Sequence, residues 1–182
     1  MRISKISTLA ATAAASLLAL SGTAQAQSGT INFEGFVVAN TCNVQIGGSS
    51  NLTVTLQPVL ADTLAGVGTT SAPTPFQLNL TGCDTALNGE TAALALSGGG
   101  GDADGRLANN ATQSPSNARI QLLNSNNGVI NLVAAAGSQN IPTQAIANGQ
   151  ASFNLQARYI STALITTPGK IASTVNYSIT YQ

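Results

Sequence analysis

The sequence contains no histidine, and only 7% of its 182 residues are charged. The absence of histidine excludes Ser-His-Asp and Cys-His catalysis and removes the commonest zinc ligand. After residue 26, four basic residues face six acidic ones, a net charge of −2, so no basic patch is available to neutralise the phosphates of a nucleic acid. Ser, Thr, Asn and Gln supply the polar component instead, which a chain held in an assembly tolerates better than one that stays free in solution.

The remaining motifs do not form a catalytic, metal or cofactor site. Lys170 stands in an apparent turn with no nucleophile motif nearby, which argues against Ser-Lys chemistry. Asp102-Ala-Asp104 resembles the start of a calcium loop but lacks the third ligand and the bidentate glutamate. The glycine run 98–101 lacks the spacings that cradle phosphates. We therefore predict no enzymatic activity, no metal and no cofactor.

Residues 1–26 have the pattern of an export signal. Arg2 and Lys5 form a basic segment, an apolar segment follows, and Ala24-Gln25-Ala26 is a small-residue cleavage site. The apolar run is about 12 residues long, whereas a membrane span takes roughly 20. We predict cleavage after Ala26. No later segment is long and apolar enough to cross a membrane, so we predict no membrane span in the mature chain.

The only two cysteines are Cys42 and Cys83. In an oxidising exported compartment an even count favours a disulfide, which here closes a loop of about 40 residues and contributes roughly 3–4 kcal/mol in the chain-entropy model. A catalytic or metal-binding pair requires CxxC spacing or a histidine, and neither is present. We predict a structural Cys42–Cys83 bond.

Short runs of alternating apolar residues dominate the mature chain. Gly, Asn and Pro punctuate them, and Asn148-Gly149 is a hairpin-turn signal. A short helical turn is expected near residues 61–65. Such a series predicts a single all-β sandwich domain. The runs are 51–56, 75–83, 91–98, 118–124, 128–133, 151–162 and 173–182.

The strands predicted at the two ends of the mature chain lack evident partners. GTINFEGFVV (29–38) precedes the first cysteine, and STVNYSITYQ (173–182) carries its alternation to the last residue. One spare strand and one open apolar edge are complementary, which favours strand addition between molecules. An arm that folds back onto its own body, as in a free-standing secreted module, is the alternative.

These features, in this order, resemble the pilin subunits of the chaperone–usher pathway, especially the major subunit of type 1 fimbriae. The resemblance covers essentially the whole mature chain. It is carried by the GTINFEGFVV arm followed by Cys42, by the strand 76–84 that ends in Cys-Asp, and by Gln-Ala-Arg-Tyr at 156–159. A glycine fourteenth from the C terminus, Gly169, and a penultimate tyrosine, Tyr181, complete it.

The resemblance implies two parts. Residues 27–41 would be an N-terminal donor extension, and residues 42–182 would be an incomplete immunoglobulin-like sandwich that lacks its last strand. The resemblance also implies that a strand of a periplasmic chaperone fills the gap first. At the outer-membrane usher, the extension of another identical or related pilin subunit would then replace the chaperone strand by donor-strand exchange, to give an adhesive surface fimbria. The implied donor residues are Ile31, Phe33, Gly35 and Val37. The residues implied for the acceptor groove and the chaperone contact are Gly169, Val175, Tyr177, Ile179 and Tyr181.

Three other functions fit the sequence less well than a fimbrial subunit. A tip adhesin usually has two domains and needs no donor arm, whereas this chain has room for one domain and possesses an arm. A free-standing binding module requires the arm to fold back on its own body. A secreted enzyme lacks any supporting motif.

Overall fold

The computed structural model describes residues 41–46 and 53–182, all within one structural unit, 37–182. The predicted signal peptide and the predicted donor residues lie outside the described residues and stay predictions. In the described part of the chain, no helix is long and apolar enough to cross a membrane.

Seven strands form two antiparallel sheets in the described part of the chain. One sheet has the order β1-β2-β6-β4 and the other the order β5-β3-β7. The all-β prediction is therefore confirmed. The strands are β1 (Asn43–Ile46), β2 (Thr74–Thr81), β3 (Thr91–Ser97), β4 (Arg119–Asn124), β5 (Gln144–Ala145), β6 (Ala151–Ile160) and β7 (Asn176–Tyr181), with short 3-10 helices at Ala61–Leu64 and Thr85–Leu87.

The two sheets share one apolar core. Along β6, Phe153, Leu155 and Ala157 are buried because side chains alternate across a strand and every second residue faces the opposite sheet. The same period governs the other strands, so the alternation that predicted them also selects the core. The strand residues of this core are Leu78, Leu80, Ala92, Leu94, Leu96, Ile120, Leu122, Phe153, Leu155 and Ala157.

Amide and hydroxyl groups, rather than ion pairs, join neighbouring strands on the outer side of the first sheet. Gln77 Nε2 donates to Asn154 Oδ1 at 2.7 Å. Ser152 Oγ donates to Asn79 Oδ1 at 2.7 Å. Cross-strand polar pairs of this kind stabilise a sheet, which shows how a chain with so little charge keeps a polar exterior.

Turn chemistry follows the sequence at Asn148-Gly149. Both residues have positive φ, 52° and 71°, and the turn joins β5 to β6. Asparagine and glycine tolerate that left-handed region, as a two-residue turn requires. The expected helical turn near 61–65 is present as Ala61–Leu64.

Two of the runs expected to be strands do not form ladders. Residues 53–56 keep the expected alternation of burial without strand pairing. Residues 128–133 make a single bridge, between Val129 and Leu123. There Asn131 Oδ1 accepts the N–H of Val133 at 3.0 Å, and side-chain amides that bond nearby backbone compete with sheet formation.

The carboxylates of Asp102 and Asp104 lie in a loop, and Asp102 stabilises that loop by accepting hydrogen bonds within it. Asp102 Oδ1 accepts the backbone N–H groups of Asp104 and Arg106, both at 3.1 Å. Asp102 Oδ2 lies 2.9 Å from Arg106 Nε and 3.5 Å from Arg119 Nε. The hydrogen bonds thus fix the conformation of the loop, and the ion pair with Arg119 ties it to the start of β4.

Candidate functional site

The last strand, β7, has one paired edge. On that side it runs antiparallel to β3, from Ser97↔Asn176 to Ala92↔Tyr181. Within residues 41–46 and 53–182, no strand pairs with its other edge. An edge of unpaired N–H and C=O groups is a template for another strand.

The register fixes which side chains of β7 face the core. Tyr177, Ile179 and Tyr181 stand opposite Leu96, Leu94 and Ala92. Directly opposed residues of an antiparallel pair project to the same face. The three β3 residues are buried, at most 5% exposed, so their β7 partners also face inward.

The inward face of β7 is less covered than that of β3. Tyr177 is 40% exposed, and Val175, Ile179 and Tyr181 are half-buried against the core. This difference within one sheet means that none of the described residues covers the core on the far side of β7. The predicted acceptor residues on β7 and just before it therefore share one incompletely covered apolar face.

The start of the domain lies across from β7. Cys42, Val44 and Leu56 also pack against the core while remaining partly exposed. β1 pairs only with β2 among the described strands and so forms the edge of the first sheet. At one end, the N–H of Cys42 donates to Tyr181 Oη at 3.4 Å. We call the opening between residues 42–46 and 53–56 on one side and residues 171–181 on the other the seam.

A cavity of about 270 Å³ lies at the opposite end of the seam. Leu56 and Val59 line it from the first segment, and Gly169 and Ile171 line it from the last. Tyr159 lies in its wall, where burial raises the pKa of its hydroxyl above the ordinary value of 10.0. No charged side chain lines this cavity. The cavity lining at this end of the seam is therefore uncharged, and it combines aliphatic with hydroxyl side chains.

The disulfide sets one end of the seam. Cys42 and Cys83 are bonded, as predicted, and link the start of β1 to the end of β2. The bond holds the chain entering the domain at the end of the molecule where Tyr181 arrives. Any extension before Cys42 therefore begins beside the C-terminal end of β7.

Gly169 permits a close backbone contact. Lys170 N–H donates to the carbonyl of Ser114 at 2.8 Å, and Ser116 N–H donates to the carbonyl of Lys170 at 3.0 Å. A Cβ on Gly169 would collide with the Ser114 carbonyl oxygen and lie 2.6 Å from the backbone nitrogen of Ser116. Glycine is required because the neighbouring atoms are backbone, and this contact aligns the approach to β7.

We expect Gly169→Ala to lower the free energy of unfolding by about 2–3 kcal/mol, because overpacking against fixed backbone is costly. Lys170→Ala is the matched control. It keeps the same backbone hydrogen bonds at an exposed side chain and should change stability by less than about 0.5 kcal/mol. Urea unfolding of both variants measures the difference. Equal stability would show that Gly169 is not held against residues 114–116.

Apart from Gly169, the residues that line the cavity were not predicted from the sequence as part of the site. Leu56 lies on the alternating run 51–56, but nothing in that run indicates what it faces. Ile171 continues the alternation of the last strand backwards through Ser173 and Val175. Extending that period by two steps would have found it.

The comparisons with known proteins agree with this geometry. A family model described as "Fimbrial protein" matches residues 31–182. The F17 fimbrial protein of Escherichia coli is 40% identical over 163 residues, covering 86% of this chain and 89% of that protein. The major fimbrial subunit SMF-1 of Stenotrophomonas maltophilia is 38% identical over 164 residues, covering 87% and 95%.

Among solved structures, the P pilus rod subunit PapA superposes with a TM-score of 0.62 at 18% identity, covering 79% of this chain and 100% of that chain. At this low identity, the similarity to PapA concerns the fold alone. Together with the family model and the relatives, it leads to one conclusion: the chain belongs to the fimbrial protein family.

Proposed function

We propose that this chain polymerises by donor-strand exchange, with residues 29–38 of one subunit filling the seam of a neighbour. Membership of the family makes the chain a structural subunit of a cell-surface fimbria, not an enzyme. The observation that carries the proposed mechanism is the open edge of β7 beside an inward face that is only half covered.

The donor sequence matches the chemistry of the seam. Ile31, Phe33 and Val37 alternate on one face, and Gly35 is assigned to the same face. Glu34 falls on the other face, so insertion would not bury its charge. An uncharged lining favours such a strand because burying an unpaired charge is costly.

The energies support a fibre that is much more stable than its subunits. Burying Ile31, Phe33 and Val37 is worth roughly 1.5–3 kcal/mol each. Each inter-strand hydrogen bond adds about 0.5–1.5 kcal/mol. The sum is comparable to the marginal stability of a whole domain. Head-to-tail addition of this kind builds an open filament rather than a closed ring.

The geometry favours exchange between molecules over folding back. Every named strand pair in the described part is antiparallel. A donor antiparallel to β7 places its C-terminal end beside Val175, about 20 Å from Tyr181 at strand spacing. Cys42 contacts Tyr181, yet Val38 and Cys42 are at most about 14 Å apart along the chain. The arm is therefore too short to fill its own seam in the antiparallel direction.

Before assembly the same edge needs protection. An open apolar strand edge invites aggregation. We assign its temporary cover to a strand of a periplasmic chaperone, and the exchange to an outer-membrane usher. The predicted signal peptide supports transit through the periplasm. Val175, Tyr177, Ile179 and Tyr181 would contact first the chaperone and then the donor, with Gly169 positioning the approach to them.

A synthetic peptide of residues 28–40 tests the proposal. Added to a subunit that lacks residues 27–38, it should bind and raise the melting temperature by several degrees. The control peptide carries Ile31→Asn and Phe33→Asn, which remove the apolar anchors and should abolish the effect. Calorimetry and native mass spectrometry report both results. No thermal shift with the unaltered peptide would mean that the seam is not a strand acceptor.

A further inference from the structure

Four aliphatic side chains are exposed beside the cavity end of the seam. Leu60 and Val67 are 74% and 64% exposed, and Leu164 and Ile165 are 78% and 80% exposed. We call these four residues the end patch. Single exposed aliphatic residues are ordinary, but a contiguous group marks an interaction site.

Hydrogen bonds bring the two halves of the end patch together. Gly66 N–H donates to the carbonyl of Leu164 at 3.0 Å, and Gly68 N–H donates to the carbonyl of Ser161 at 2.9 Å. These bonds place Val67 beside Leu164. With the bond from Thr166 to the carbonyl of Leu64, they join segments 64–68 and 161–166 side by side at this end of the domain.

The loop that carries Leu164 and Ile165 buries its polar side chains and exposes its aliphatic ones, the reverse of the usual arrangement. Ser161 is fully buried and Thr166 is 6% exposed, so the polar residues anchor the loop from inside. Thr166 Oγ1 donates to the carbonyl of Leu64 at 2.8 Å and lies 3.0 Å from Ser161 Oγ. Buried polar residues that are hydrogen-bonded fix a conformation. The fixed loop holds two aliphatic side chains in water, as a docking surface requires.

The position of the patch identifies its occupant. Thr166, Gly169 and Val59 line the cavity at the N-terminal approach to β7, and the patch flanks that cavity. Under the donor-strand exchange proposed above, an antiparallel donor ends at this side of the seam. Its Cys42 then lies within about 14 Å of its Val38. The body of the donating subunit must therefore lie beside the patch.

The donor's disulfide end is the surface that arrives there. The turn at Gly149 and the short helix Thr85–Leu87 both lie near Cys83. The N–H of Cys83 donates to the carbonyl of Gly149 at 3.0 Å. Ala86 and Ala147 are exposed at this end. Small side chains there allow close approach to the four aliphatic ones.

We infer that the end patch is a second subunit–subunit contact of the fibre, which packs against the disulfide end of the subunit whose arm fills the adjacent seam. This contact is separate from the inserted strand. It fixes the orientation of successive subunits, which a strand joined through a short linker leaves free.

Paired substitutions separate this contact from strand insertion. Fibres of the mature chain with Leu164→Ser and Ile165→Ser should dissociate in guanidinium at least about tenfold faster than wild type. The matched control, Val129→Ser and Val133→Ser, alters aliphatic residues 40% and 57% exposed beside β4 and should stay within about twofold. With residues 27–38 deleted to leave the seam free, both variants should bind the 28–40 peptide as the wild-type body does.

The outcomes distinguish the two proposals. Failure of the peptide to bind the wild-type body that lacks residues 27–38 overturns donor-strand exchange, and the end-patch contact with it. Normal peptide binding with wild-type dissociation of the Leu164→Ser and Ile165→Ser fibres overturns the end-patch contact alone.

Engineered thiols provide a direct test of proximity. The only native cysteines are bonded to each other, so Ile165→Cys and Ala86→Cys introduce the only free thiols. In assembled fibres a short bis-maleimide should link them into a covalent ladder that survives boiling in detergent. Val133→Cys with Ala86→Cys is the control and should give monomers. Monomers from the first pair, or equal ladders from both, would overturn the contact.

Discussion

Joining residues 28–40 to the chain after Gln182 through a flexible linker should raise the melting temperature by roughly 10–20 °C and stop polymerisation. An antiparallel strand that follows β7 needs only a hairpin connection, since β7 ends at Tyr181. A net gain of about 5 kcal/mol corresponds to a shift of that size in a chain of this length. The filled seam can no longer accept a neighbour's arm, so the subunit should remain monomeric.

Differential scanning calorimetry and size-exclusion chromatography measure these two effects. The matched control carries Ile31→Asn and Phe33→Asn within the grafted copy only. It has the same length and linker, so any stabilisation it retains comes from tethering rather than insertion. A graft that leaves the melting temperature unchanged contradicts a missing strand.

Deleting residues 27–38 should abolish fibre formation. The mature chain should form ladders that remain intact in detergent at room temperature, because dissociation requires withdrawal of a whole hydrogen-bonded strand. Without the arm, each subunit retains an acceptor but has no donor. Electrophoresis of unboiled samples should then show monomer alone.

A control for the deletion tests which face of the arm matters. Thr30→Ala with Asn32→Ala alters the face opposite Ile31 and Phe33 and should leave the ladder intact. A mature chain that stays monomeric with its arm present, or a ladder that persists after deletion, would contradict assembly through the arm.

Much of the fold is encoded locally and was predictable. Phe153, Leu155 and Ala157 are buried because a strand exposes alternate residues to each face, and this period is visible in the sequence. Asn148-Gly149 forms its turn because both residues accept positive φ. Cys42 and Cys83 admit only one intramolecular pairing. These inferences depend on neighbouring residues or on counting, and the structure confirms each of them.

The rest depends on contacts between distant segments. Nothing near Gly169 in the sequence indicates that its neighbours in space are the backbone atoms of residues 114–116. The run 128–133 alternates as a strand does, yet side-chain amides take its backbone groups. Leu164 and Ile165 look like core residues in sequence, and only the burial of Ser161 and Thr166 turns them outward. The donor role of residues 29–38 remains a prediction from alternation and family resemblance.

The uncharged cavity of the seam has a consequence for the conditions under which such a fibre dissociates. No described residue lining its cavity changes charge between acidic and neutral conditions, and the hydroxyl of Tyr159 stays protonated well into alkaline conditions because burial raises its pKa. Added salt has no ion pair to screen there. Neither a lower pH nor added salt is expected to weaken the contacts in this cavity. We therefore expect the rate at which such fibres dissociate to change little between acidic and neutral pH or with added salt.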